Sequence, residues 1–277
     1  MIYFLPLGNN DVASSRLRVY LVASYLNAQV GVPEHYEQGD VLIIQKVHDP
    51  AELHKARIQG AKIIFDIDDY YWYRSAYEHM IEMADVVTTD TETKKAELVH
   101  INKNVVVIPD ALDWDGTVAG RVAEGVVGWT GHGNNASYLN DIGKDVSRQY
   151  QWRLITSEDV GKHVDFPFTF EKWSLETVDK DLAQCEMTAY YMPDELVGNL
   201  KGMHKVLKSW AIGIPCYTSR VPDYVKAMAE AGVGEKYLVD DWSQLTNIGF
   251  DERCREYAMT YQAQEIAKQW KQIIENL

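Results

Sequence analysis

Short apolar runs, each followed by a stretch of helical period, constrain this chain more than any other feature. They fall at residues 2–7, 41–45, 62–65, 86–89 and 105–108, and the rhythm resumes at 126–130, 152–156, 187–191 and 214–217. A short extended piece at 166–170 and an edge strand at 237–239 complete the set. Apolar runs of this length bounded by turn residues read as buried strands, and strands alternating with helices give βαβ units and parallel sheets. Helices are expected near 14–27, 50–58, 74–83, 91–99, 136–148, 174–183, 200–212 and 221–230. A long final helix is expected over 251–277, its Tyr257, Tyr261, Trp270, Ile273 and Ile274 forming a core-facing stripe. Residues 109–124 carry turn and small residues and break the rhythm, which puts a domain boundary there. The result is an α/β chain in two similar halves.

With 277 residues, 46% hydrophobic and 25% charged, the chain can bury a large core as one or two soluble globular domains. The first apolar run is too short for a signal h-region and lacks a basic lead, and no run reaches transmembrane length. The expected location is therefore cytoplasmic, with no integral membrane part. Cys185, Cys216 and Cys254 have no metal-ligand spacing and read as free buried thiols. A formal charge of −14 opposes generic binding to nucleic acid, but not the binding of one diphosphate. No G-x-G-x-x-G follows the first strand, so a nicotinamide fingerprint is absent. Ser14-Ser15-Arg16-Leu17-Arg18 opens the helix there instead.

Residues 186–219, EMTAYYMPDELVGNLKGMHKVLKSWAIGIPCYTS, carry most of the functional signal. A buried strand leads into a polar loop with Gly198 and Asn199, then a helical run over 200–212 whose Met203, Val206, Leu207, Trp210 and Ala211 share one face. Gly213 is the expected helix stop. Lys201 and Lys205, one turn apart, put two ammonium groups near the helix start, where unpaired N–H groups add partial positive charge. This is a diphosphate site at the carboxyl edge of a parallel sheet.

The run Gly198-Asn199-Leu200-Lys201, Lys205-Val206-Leu207 and Trp210-Ala211-Ile212-Gly213-Ile214-Pro215 resembles the donor motif of GT-B glycosyltransferases. It looks most like the retaining glycosyltransferase family 4, the group 1 sugar transferases, in a compact form of viral type. The resemblance covers most of the chain and is strongest at 126–135 and 186–219. It implies two Rossmann-like domains facing across a cleft: 1–115 for the acceptor, 116–250 for the nucleotide-sugar, and 251–277 crossing back to the N-terminal domain. Lys201 and Lys205 would hold the diphosphate, the loop of Gly131 and His132 would approach phosphate or sugar, and Asn199, Asp194 and Glu195 would face the donor. Lys208 stands where the family has an acidic ribose ligand. Arg16 and Arg18 would stand at the cleft mouth facing the acceptor. Asp68 and Asp69, within a stretch similar to the family's F-D-x-D-D-x-x-W, would orient or deprotonate the acceptor hydroxyl.

The reading is a nucleotide-sugar-dependent glycosyltransferase, retaining and metal-independent, with no cofactor and with a glycan or a hydroxymethylated base in DNA as acceptor. A DNA acceptor would need Arg16, Arg18, Lys46, Lys94 and Lys95 on one cleft. Two alternatives stand beside it: a non-catalytic sugar-nucleotide-binding protein, and a metal-dependent transferase using Asp66 and Asp68 as a D-x-D motif. Sequence assigns neither the sugar nor the oligomeric state.

Overall fold

A computed structural model describes residues 1–69, 75–120 and 123–277. Contacts divide the chain into two compact units, Met1–Asp113 with Tyr261–Leu277, and Trp114–Thr260.

In the first unit β1 (Ile2–Pro6), β2 (Gln29–Val30), β3 (Val41–Gln45), β4 (Lys62–Asp66), β5 (Val86–Thr89) and β6 (Val105–Val107) form one sheet in the order β2-β1-β3-β4-β5-β6. Every pairing is parallel. β3 is buried along its whole length, as a strand covered on both faces must be. β2 was not expected; it is two exposed residues that borrow backbone bonds from β1. Phe4, Ile43, Ile64 and Val22 form the core with Ile266 and Trp270 from the helix Ala263–Glu275. The Trp270 ring meets Phe4 edge-on at 5.9 Å.

The expected single helix over 251–277 is two helices, Glu252–Met259 and Ala263–Glu275. No glycine or proline breaks it. Instead Leu112 N–H donates to the Tyr261 carbonyl at 2.8 Å and Leu112 bridges Gln262, which takes the backbone out of the helical ladder. Only the part from Tyr261 on joins the first unit.

In the second unit β7 (Ala123–Thr130), β8 (Gln151–Thr156), β9 (Phe168–Lys172), β10 (Cys185–Tyr190) and β11 (Cys216–Thr218) form a parallel sheet in the order β11-β10-β7-β8-β9. The piece at 237–239 is a single bridge between Thr218 and Leu238. Glu252–Met259 packs here, with Tyr257 edge-on to Trp210 of the helix His204–Ile212. That helix ends where expected, Gly213 at φ +92° closing it. Gly213→Ala should cost about 1–2 kcal/mol from left-handed backbone strain, read as a lowered urea midpoint with unchanged m-value.

Candidate functional site

Open parallel sheets bind ligands outside the carboxyl ends of their strands, where the winding reverses. In the second unit that point lies between β7 and β10. Trp129 near the end of β7 and Tyr190 at the end of β10 are both buried. Over them lies the Lys205 ammonium, 5.1 Å from the Trp129 ring centre and 5.3 Å from that of Tyr190. Lys205 is half-buried, and among the described residues no carboxylate pairs with it. Burial lowers its pKa to about 7, helped by the like charge of Lys201. The two ring faces favour the charged form, each by about 0.5–2 kcal/mol. A methyl group on Gly131 would sit 2.7 Å from Lys205 Nζ and 2.7 Å from the Trp129 ring, so glycine is what leaves room for this packing. Among the described residues, then, aromatic rings rather than carboxylates surround this ammonium.

The two lysines do not lie on one helix. A short turn of helix, Leu196–Asn199, comes first, Lys201 falls between, and the second helix begins at His204. Asp223 of the helix Pro222–Glu230 accepts from Met203 N–H at 3.2 Å, so a carboxylate already meets the helix start. Asn199 donates to Asp194 at 2.9 Å, which fixes that loop. Asp194, Asn199, Tyr191 and Trp242 help line a cavity of about 530 Å³ at the ends of β10 and β11. Glu195 is exposed. His132 is exposed too, its Nδ1 accepting from Asn134 N–H at 3.3 Å as a cap for the turn Gly133–Asp141.

Lys208, expected beside the ribose, is buried against Asp179 of the helix Val178–Leu182 at 2.7 Å. The ammonium is thus engaged in the interior by an acid on the neighbouring helix.

The carboxyl edge of the first sheet is a lattice of ion pairs. Its switch point lies between β1 and β3. Arg16 and Arg18, expected to face an acceptor, are buried on a π-helical turn, Arg16–Tyr20. Arg18 holds Asp66 through two bonds of 2.7 and 2.6 Å and also donates to Asp110 and the Ile108 carbonyl. Thr88 donates to Asp66 Oδ1 at 2.7 Å. Burial opposes the Arg18 charge, but Asp66 and Asp110 outweigh it and raise its pKa well above the ordinary value. Arg16 pairs with Asp113 at 2.9 Å.

Asp68 and Asp69 both meet Lys46, Asp68 at 3.2 Å. Burial would raise Asp68, but Lys46, Arg18 and Lys94 hold it below the usual carboxylate range. It can therefore accept hydrogen bonds but is a weak proton acceptor. Lys46 also donates to Ser14 and sits at φ +61°, rare for a residue with a side chain. Tyr70, Tyr71 and Trp72 of the same stretch lie outside the described residues.

Three features escaped sequence reasoning. Asp90 follows β5, pairs with Lys94 at 2.5 Å, and is pushed up to about 7 by burial, with Asp110 and Asp68 adding to the shift against Lys94. The Gln45 amide nitrogen is buried with no hydrogen-bond partner among the described residues, although its oxygen accepts from Ser15 and Leu7. The aromatic floor under Lys205 is the third. Each depends on strands far apart in sequence, and only the ends of the apolar runs hinted where to look.

No family model and no curated protein matches the sequence. Solved structures do. The pneumococcal O-GlcNAc transferase GtfA, in complex with UDP and GlcNAc, aligns with TM-score 0.59 at 12% identity over 87% of this chain and 57% of its own. WaaG, a glycosyltransferase involved in lipopolysaccharide biosynthesis, aligns with TM-score 0.56 at 11% identity over 99% of both chains. A trehalose-6-phosphate protein of E. coli, bound with UDP-2-fluoro glucose, gives TM-score 0.63 at 8% identity over 87% and 74%. The chain has the GT-B fold. It spans 56–58% of the length of GtfA, TarM and the chain matched in the GtfA/B complex. Within this fold, both sheets keep the doubly wound parallel order that sets a ligand crevice at each switch point. Among the described residues no helix is long and apolar enough to cross a membrane.

Proposed function

We propose that the chain is a glycosyltransferase that moves a sugar from a UDP-sugar to an acceptor hydroxyl, without a metal ion and with retention at the anomeric carbon. The observation that carries this reading is the Lys205 ammonium on its Trp129–Tyr190 floor at the β7/β10 switch point, with no carboxylate partner among the described residues. Breaking the bond between sugar and diphosphate sends an electron pair to a phosphate oxygen, and the acceptor oxygen bonds to the vacated carbon as its proton passes to that leaving phosphate oxygen. A fixed cation at the leaving oxygen is worth more as that charge grows, so it lowers the barrier rather than merely binding. Lys201 adds charge nearby, and Asp194 with Asn199 faces the donor sugar. UDP is chosen because two of the similar proteins hold it. Retention is supported by the likeness to trehalose-6-phosphate synthase, studied for glycosyl transfer with retention.

Metal independence is supported by the chemistry of the D-x-D pair. Both Asp66 oxygens are taken by Arg18, one of them also by Thr88, and Asp68 is tied to Lys46, so a divalent ion would have to displace buried cations. Asp68 and Asp69 serve in this reading to orient the acceptor hydroxyl. Incubated with a UDP-sugar and no acceptor, the protein should slowly release UDP, and EDTA should leave that rate unchanged within about twofold. A binding protein would release none. Loss of release in EDTA with recovery on Mn²⁺ would restore the metal-dependent reading.

A further inference from the structure

Among the described residues, the acceptor edge has its cations already neutralised. Arg16, Arg18, Lys46 and Lys94 are each bound to carboxylates, and those four cations face six acids: Asp66, Asp68, Asp69, Asp90, Asp110 and Asp113. These cationic side chains are at most 5% exposed, whereas Asp69 is 42% and Asp110 16% exposed, so what these pairs present to the surface is negative. Lys95, the fifth basic residue that a DNA-binding edge would use, lies 4.0 Å from Glu92.

We propose that the acceptor at this edge is an uncharged polyhydroxylated molecule, a neutral sugar or glycoside, and that phosphorylated sugars and DNA are rejected. The proposal rests on the glycosyl-transfer reading and adds the acceptor's chemical class. A phosphate group would have to pull a buried cation off a buried carboxylate, and the acid left behind would be uncompensated. It has no proton to offer the exposed Asp69 and Asp110 oxygens. A sugar hydroxyl donates to a carboxylate and accepts from an amide or ammonium at once. An amide donor without a partner among the described residues is present: Gln45 Nε2 is buried at the end of β3, beside the switch point, and its residue adjoins Lys46 in sequence. It can bond to a hydroxyl oxygen through one water.

The test uses the full chain with UDP-glucose and UDP-GlcNAc as donors. The acceptors are a panel of neutral methyl hexosides and glucose, glucose 6-phosphate, and a DNA duplex containing 5-hydroxymethylcytosine, with transfer read by mass spectrometry. The account expects transfer to a neutral member with kcat/KM at least about tenfold above its phosphorylated counterpart, a difference of about 1.4 kcal/mol. It expects no DNA gel shift even at 20 mM NaCl, where phosphate contacts are strongest. Asp69→Lys should move the ratio of phosphorylated to neutral acceptor upward by about tenfold or more, with the UDP-induced thermal shift kept as the control for folding. Preference for glucose 6-phosphate or DNA, or donor turnover with no neutral acceptor used, would overturn the inference while leaving the transferase reading standing. No release of UDP from either donor would remove the transferase reading itself.

Discussion

Lys205→Met should weaken UDP binding about 100-fold or more, and yet raise the melting temperature of the free protein. Both effects have one origin. In the folded protein burial and Lys201 hold Lys205 near a pKa of about 7, whereas an unfolded lysine titrates near 10.4. Between those values the unfolded chain binds the extra proton, so wild-type stability rises with pH across that window. Below about pH 7 the ammonium is charged in both states and the folded state bears the full desolvation cost. Allowing for its partial exposure and the two ring faces, that cost is about 1–3 kcal/mol, or about 2–4 °C per kcal/mol in a chain of this size. The advantage of the methionine variant should therefore be greatest at pH 7 and below, and fade towards pH 10. UDP binding pulls the lysine pKa back up, so above pH 7 it takes up a proton, and affinity should fall towards tenfold per pH unit. Thermal melts and calorimetric titrations from pH 6 to 9 read all three effects. A variant that melts lower, or one that binds UDP undiminished, would mean that Lys205 is ordinary structure.

Arg18→Met should be among the most damaging single changes in the first unit, costing about 3–5 kcal/mol of a total near 5–15 kcal/mol. The guanidinium is buried, and its removal strands Asp66 inside with only Thr88 as a side-chain partner among the described residues, besides freeing the Ile108 carbonyl. Removing the orphaned charge as well should help: Arg18→Met with Asp66→Asn should be less destabilised than the sum of the single changes by about 0.5–3 kcal/mol. Hydrogen exchange of β4 and β5 amides locates the effect in this unit, while those of β7 and β10 should stay protected. Additive single changes would show that the pair is not energetically coupled.

The parts of the fold set by local pattern could be read from sequence, and those set by long-range partners could not. Buried runs such as VLIIQ in β3 announce themselves because both faces are covered, whereas the exposed pair Gln29–Val30 carries no apolar signal at all. Gly213 stops its helix through its own backbone freedom. The break at residues 260–262 has no such residue; a contact with Leu112 creates it. The site divides in the same way. Lys205 and Gly131 follow from a motif at the ends of two strands, and their packing adds the ring floor. Arg16, Arg18 and Lys208 looked like solvent-facing ligands because their acids lie tens of residues away, at Asp113, Asp66 and Asp179. Sequence gives the sign of a charge but not whether it is already met.

The central claim concerns one ammonium group, and a crystal structure of the full chain grown with UDP tests it most directly. The account predicts phosphate oxygens within hydrogen-bond distance of Lys205 Nζ, beside Gly131 at the end of β7. Well-ordered UDP bound elsewhere, with that ammonium still lying on Trp129 and Tyr190 alone, would contradict it.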